Sequence, residues 1–480
     1  MLKSMHIYIV VMLLLFIPFI GIAQSTKAEK YANNISAEDI KSYLTVLTSD
    51  SLEGRETGRI GQKRAANFIA NKFQSFGIDS LSGGYFQNFK INNIVPKNVS
   101  IKINGVELKY MSDYYHSFDF ENDTISSNDA RFVKNDFSNL EQKVVFVLLQ
   151  KCTKEQMALL KNAKAKAIFF IDKNVEKNIS TSNYYLQKER TLLDNKNIKN
   201  TPVFYLSIKA AKAIFHKTPK ALKDKSYNVS VEMKLHIMTE NLTGENVLGY
   251  VEGTDLKNEL LVITAHYDHL GIHDGAIFYG ADDDASGTSA VLMLAKAFAV
   301  AKKEGHGPRR SILFMPVSGE EKGLLGSSYY SENPVFPLDS TIADLNIDMI
   351  GRIDEKHAGN ANYVYLIGSD KLSSELHVIS DSANSKYCKI DLDYTFNDPN
   401  DPNRFYYRSD HYNFAKNNIP VIFYFNGVHA DYHKATDTID KIDFDKIANI
   451  SKLVFYTAWE LANRDKRIVV DKENEFKGTR

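Results

Sequence analysis

Two cysteines in 480 residues, Cys152 and Cys388, exclude both a disulfide framework and a thiolate metal cluster. They read as two buried thiols. An excess of one charge is missing as well. The 59 Lys and Arg balance 59 Asp and Glu, so electrostatics gives no reason to expect nucleic acid or an anionic membrane as partner. Long apolar runs are absent except for residues 7–20, interrupted by Pro18. That run is shorter than the roughly 20 residues a spanning helix needs. With Lys3 before it and Gly21-Ile22-Ala23 after it, it has the layout of a signal peptide, residues 1–23, cleaved before Gln24. No cysteine stands at that point to take a lipid. The expectation is an exported chain, periplasmic or extracellular, with no stable membrane anchor.

What is present is enough apolar residue, 44% of the chain, for more than one compact unit. Ser36-Ala37-Glu38-Asp39 looks like a cap before Ile40, Tyr43, Leu44 and Leu47, a stripe at helical spacing. A second helix is predicted over 61–76, stopped by Gly77. The polar glycine loop 52–58 between them reads as a connector, with a contribution to the active-site rim as the alternative. From about residue 99 the texture changes: 101–108 reads as a hairpin on an Asn-Gly turn, and 144–149, 167–171 and 201–206 as strands. Residues 98–240 are therefore read as an insertion, between 24–97 and 241–465 of the main domain. The charged tail 466–480 is expected to fray. Strand and helix alternate from Val247 on. The fold class that follows is α/β: a mostly parallel, doubly wound sheet with helices on both faces, plus a smaller inserted α+β or β-rich domain.

Six residues then stand out: His266, Asp283, Glu320, Glu321, Asp348 and His433. The apolar runs 260–265, 311–317, 342–347 and 420–425 each lead into one or two of them, and Asp283 lies in the loop 280–287 before a helix-like stretch. In open α/β sheets the crevice beyond the carboxyl ends of the strands is where ligands bind. Two metal ions about 3.5–4 Å apart require a shared carboxylate between them. His266 and Asp348 would hold one ion, Glu321 and His433 the other, and Asp283 would bridge. Nitrogen and carboxylate ligands without thiolate suit zinc, and would also bind cobalt or manganese. Glu320 is left without an ion, free to take a proton from water and return it to a leaving amine. Asp268, two residues after His266, is placed to orient its imidazole. Each motif alone is common by chance; the ordered set is not. His269, His273, His306, His411 and His429 read as structural or rim groups, and Asp282 and Asp284 have no evident role.

With those residues in place, the chain resembles the co-catalytic zinc aminopeptidase family of clan MH. The resemblance is carried by 265–268, 280–287, 318–327 with its Gly-Glu-Glu core, 346–352, 409–411 and 432–438. It implies a phosphorylase/hydrolase-like fold, two Zn²⁺ per chain, and peptide substrates with a free N-terminus. It also fixes the bridge at Asp283, three residues before Ser286. Tyr406 falls where some relatives place a tyrosine that hydrogen-bonds the tetrahedral intermediate. The insertion is similar to a protease-associated domain. The function implied is removal of an N-terminal residue with Glu320 as general base. A dipeptidase or carboxypeptidase would share the metal site, the latter with a cation such as Arg352, Arg404 or Arg408 for the terminal carboxylate. Glutaminyl cyclase needs one zinc, and a receptor-like binding protein would lack ligands; the full set argues against both.

Overall fold

The computed structural model describes residues 27–116, 120, 122–181, 189–194 and 201–476. The expected signal peptide lies outside them. Among the described residues no helix is long and apolar enough to cross a membrane. The chain forms two compact units, one over Lys90–Leu242 and one from the segments that flank it. The first begins before residue 98 because the strand Phe86–Ile103 runs unbroken through that position.

The flanked unit is a sheet whose four parallel centre strands are Asp123–Val133, Val144–Leu148, Ala167–Asp172 and Val203–Ser207. Stacked Phe146, Phe169 and Phe204 fill one face. The expected hairpin pairs Lys102 with Glu107 and Ile103 with Val106. Asn104 and Gly105 both take positive φ, 51° and 77°, as a type I′ turn requires.

The other unit holds a seven-stranded sheet. Its centre is four parallel strands in the order Arg310–Val317, Leu256–His266, Thr341–Ile347, Val421–Phe425. Antiparallel partners flank them, Gly249–Val251 on one side and Tyr363–Ile367 on the other. Helices cover both faces, so the centre strands are apolar throughout rather than alternating. Leu261, Ile263 and Ala265 pack with the helices Ala37–Leu47, Ile60–Phe76, Ala285–Lys303 and Phe444–Asn463. Leu260 and Val262 face the opposite core with Tyr330 and Phe414. The parallel direction puts four carboxyl ends on one edge of the sheet.

Residues after Arg464 do not fray before 476. Ile468 and Asn474 are buried, the Asn474 amide donates to the Ala415 carbonyl at 3.0 Å, and Arg467 donates to the carbonyls of Asp339 and Thr341. The abundance of charge in this stretch masked its spaced anchors.

The loop 52–58 is more than a connector. Arg55 is fully buried and spends its guanidinium on main-chain carbonyls: Nε on Tyr267 at 2.7 Å, Nη1 on Leu47 at 2.6 Å and Tyr279 at 2.7 Å, Nη2 on Gly280 at 3.0 Å. It ties the strand end after His266 to the aspartate loop before the long helix. Burial pulls its pKa down to about 10, against the attraction of Asp268, Asp283, Asp284 and Asp437. Arg55→Ala strands those carbonyls in a dry interior and should cost about 3–5 kcal/mol, read from urea unfolding. Arg55→Lys should recover little, because one ammonium cannot serve four acceptors in that plane. A loss below about 1 kcal/mol on Ala substitution would show that the guanidinium is not what ties the two loops.

Candidate metal centre

The expected ligand candidates come together. His266, the last residue of Leu256–His266, puts Nε2 3.1 Å from Asp283 Oδ1 and 3.6 Å from Asp348 Oδ1. His433 Nε2 lies 3.0 Å from Asp283 Oδ2 and 3.2 Å from Glu321 Oε2. Asp283 thus offers one oxygen to each side. Two groups of potential ligand atoms converge, His266-Asp283-Asp348 and His269-Asp283-Glu321, with Asp283 common to both. Nitrogen and carboxylate donors in a buried pocket fit zinc.

The main chain is bent to present them. Met349, next to Asp348, and His433 itself both sit at φ 54°, a left-handed conformation uncommon for residues with a Cβ. Gly280 opens the aspartate loop at φ 54°, and a Cβ there would lie 2.1 Å from the Asp283 carbonyl oxygen and 2.4 Å from the His269 ring. Only glycine fits.

The three aspartates of that loop divide the work. Asp283 faces the centre. Asp284 caps the helix Ala285–Lys303, accepting from Gly287 N–H at 2.8 Å and from Met349 N–H at 3.1 Å. Asp282 accepts from Gly351 N–H at 2.6 Å and lies 3.3 Å from His429 Nε2. Asp437 Oδ2 accepts the N–H groups of Asp282 and Asp283 at 3.0 and 3.2 Å. Ser409 donates to Asp348 Oδ2 at 2.7 Å and is itself held by the Asn346 amide at 2.8 Å.

Asp268 acts differently from expectation. Its carboxylate stands 3.8 Å from His266 Nδ1, and its main-chain carbonyl, at 3.1 Å, is what receives that N–H. The carboxylate is engaged elsewhere, by the Thr57 hydroxyl at 2.6 Å and the Glu320 N–H at 3.3 Å. Sequence spacing cannot separate a residue's carbonyl from its side chain.

Charge separates the adjacent glutamates. Burial would raise both. His433 and His269 overcome it at Glu321 and hold that carboxyl at about 2. At Glu320 burial prevails over His266 and is reinforced by Glu321, Asp348 and Asp410, so its carboxyl is held well above the ordinary range. The same burial thus acts on two neighbours with opposite outcomes, set by the charges that face each. Burial also works against His433, yet Glu321 and Asp283 lift it to about 10. His266, His269 and His433 meet Asp283, Glu321 and Asp348 in this buried pocket, a donor set suited to further positive charge.

A cavity beside His266, Asp283, Glu320 and Asp348 is walled by Phe405, Phe423, Phe425, Val428 and Met349, with Arg408 and Tyr432. Tyr406 is not in it. Its ring stacks on Phe476 with Lys371 above, on the far side of the turn Phe405–Tyr407. The tyrosine of the site is Tyr432, stacked on His433 at 3.8 Å between centroids. Burial, then Asp283, Glu321 and Glu320, keep its phenol protonated, with Arg408 opposing. Its place immediately before His433 was the available signal. Arg352 is already occupied, 2.9 Å from Asp431 and 3.8 Å from Asp437, and Arg404 lies over Tyr407. His411 is buried and donates from Nε2 to the Tyr406 carbonyl at 3.0 Å, and burial lowers its pKa to about 3.

Comparison with known proteins agrees with this geometry. The chain is 27% identical over 243 residues to Aminopeptidase YwaD of Bacillus subtilis, covering 49% of this chain and 48% of that protein. It is 27% identical over 258 residues to a probable zinc metalloprotease of Pyrenophora teres f. teres, covering 46% and 52%. The chain spans about half the length of the curated relatives it matches. In fold it is similar to an aminopeptidase from Aneurinibacillus sp. strain AM-1, with TM-score 0.64 and 18% identity over 93% of this chain and 98% of that one. It is also similar to BSAP, a zinc aminopeptidase from Bacillus subtilis, with TM-score 0.55 and 19% identity over 92% and 99%. The stretch 246–458, which carries all six groups from His266 to His433, matches the model of peptidase family M28.

Proposed function

We propose that this protein is a zinc-dependent aminopeptidase that removes the N-terminal residue of a peptide. The observation that carries the reading is the convergence of two groups of nitrogen and carboxylate donors on the shared Asp283, with Glu320 beside them. His266 with Asp348, and His433 with Glu321, would hold two ions bridged by Asp283. When bound, two zinc ions supply Lewis acidity and the positive charge this pocket calls for. Glu320, in its ionised form, takes a proton from the attacking water and delivers it to the departing amine, a role suited to a buried carboxyl whose proton affinity is raised. The Tyr432 phenol donates a hydrogen bond to the oxygen that gains charge. Phe405, Phe425 and Val428 receive the side chain of the terminal residue and exclude water. The unit Lys90–Leu242, read as a protease-associated-like module, supplies none of these groups.

One observation favours a carboxypeptidase as second reading: Arg408 lines the cavity and forms no ion pair among the described residues. Peptides blocked at either end decide between them. N-acetylation should abolish cleavage and C-terminal amidation should leave it nearly unchanged; cleavage of acetylated but not amidated peptides reverses the assignment.

Division of labour is tested by substitution. Glu320→Gln should keep its zinc by elemental analysis while kcat falls roughly 10²–10⁴-fold. Near wild-type turnover would remove Glu320 from the proton path. Tyr432→Phe, which deletes one oxygen, should lower kcat by roughly 10²–10³-fold with KM little changed. Tyr406→Phe should do neither.

A further inference from the structure

His269 follows the strand end that bears His266 and was not among the expected ligands. Its ring is fully buried, with Nδ1 2.8 Å from Glu321 Oε1 and 3.9 Å from Asp283 Oδ2. The 2.8 Å contact is an approach of charge and dipole rather than an aligned hydrogen bond, and no hydrogen bond serves Nδ1, Nε2 or Glu321 Oε1 among the described residues. The other oxygen of Glu321 lies 3.2 Å from His433 Nε2. The two oxygens of one carboxylate therefore face two different imidazoles.

We infer that His269 is a positioning residue: its Nδ1, in contact with Glu321 Oε1, holds that oxygen in place and leaves Oε2 to face the ion that His433 and Asp283 would hold. The inference rests on the metal centre proposed above. A carboxylate with both oxygens free can swing or chelate through both. Fixing one oxygen sets its rotation and confines it to a single donor. The ring is well placed to do so. Its main-chain N–H donates to the Arg55 carbonyl at 3.3 Å, and the ring packs against Gly280, where a Cβ would reach within 2.4 Å of it. It also stands edge-on to the His433 ring, 5.9 Å between centroids. One imidazole thus references Glu321 to the aspartate loop that supplies the bridge. Partners of this kind, behind a metal ligand, are worth roughly 10–100-fold in metal affinity.

The test compares full-length wild type with His269→Ala, His269→Asn and His269→Gln. Each is loaded with zinc, equilibrated against graded chelator, and assayed for bound zinc by elemental analysis, with circular dichroism to verify folding. Wild type should hold two equivalents. In His269→Ala one of them should bind roughly 10–100-fold more weakly and the other unchanged. Asparagine places an amide N–H near the position of Nδ1 and should restore near wild-type affinity; glutamine, whose amide reaches further out, should not. If alanine does not fold, asparagine against glutamine makes the same comparison. Unchanged affinity in alanine or glutamine overturns the inference. So does asparagine no better than glutamine, which would make the nitrogen itself a ligand. A wild type that binds no zinc would overturn the metal centre instead, and is distinguishable by that result alone.

Discussion

Carboxylates gathered without water at the ends of parallel strands are what the rest of the catalytic unit answers to. Asp268, Asp283 and Asp284 are buried within one crevice, with Glu320, Glu321 and Asp348 beside them. Unpaired, such groups would protonate or push apart. Each has been given something to do instead. Asp284 caps a helix, Asp268 takes a hydroxyl and an N–H, and Asp283 stands between two imidazoles. What distinguishes Glu320 is that, beyond His266, the charges around it are anionic, so its carboxyl is pushed up where that of Glu321 is drawn down.

Holding such a set within a few ångströms falls to residues far away in sequence. Arg55 pins the main chain on both sides of the crevice, Asp437 pins two N–H groups of the aspartate loop, and Ser409 pins Asp348. None of them faces the cavity between Glu320 and Phe425. Preorganisation here is a main-chain matter: most of these contacts end on a carbonyl or an N–H, so the ligands are aimed by where the backbone goes.

This explains what could be read from the sequence and what could not. The strands were legible because an apolar run ending in His or Asp carries both signals at once, as at His266 and Asp348. Glu320, Glu321 and His433 were legible because each follows an apolar run after a short loop, and Asp283 because its glycine-bounded loop opens a helix. Contacts made by carbonyls were not. Asp268 orients His266 through its main chain, and Arg55 reaches four carbonyls, yet neither fact leaves a trace in side-chain chemistry. Tyr406 and Tyr432 were both near family segments, and only the turn at Phe405–Tyr407 reveals which ring points inward. Ile468 and Asn474 were hidden because composition averages over a charged stretch while burial is decided residue by residue.

The link from Arg55 Nε to Tyr267 spans 212 residues of chain, most of them the unit Lys90–Leu242. Closing a loop of that length costs entropy before any contact rewards it. In the inserted unit, however, the strands Phe86–Ile103 and Lys225–Val247 are hydrogen-bonded neighbours. Once that unit has folded on its own core, its two ends are already side by side, and the open loop left between Arg55 and Tyr267 is several-fold shorter. By the usual logarithmic dependence this saves roughly 1 kcal/mol of closure entropy. The insertion therefore adds little to the entropy of bringing the helix Ile60–Phe76 to the strand that begins at Leu256.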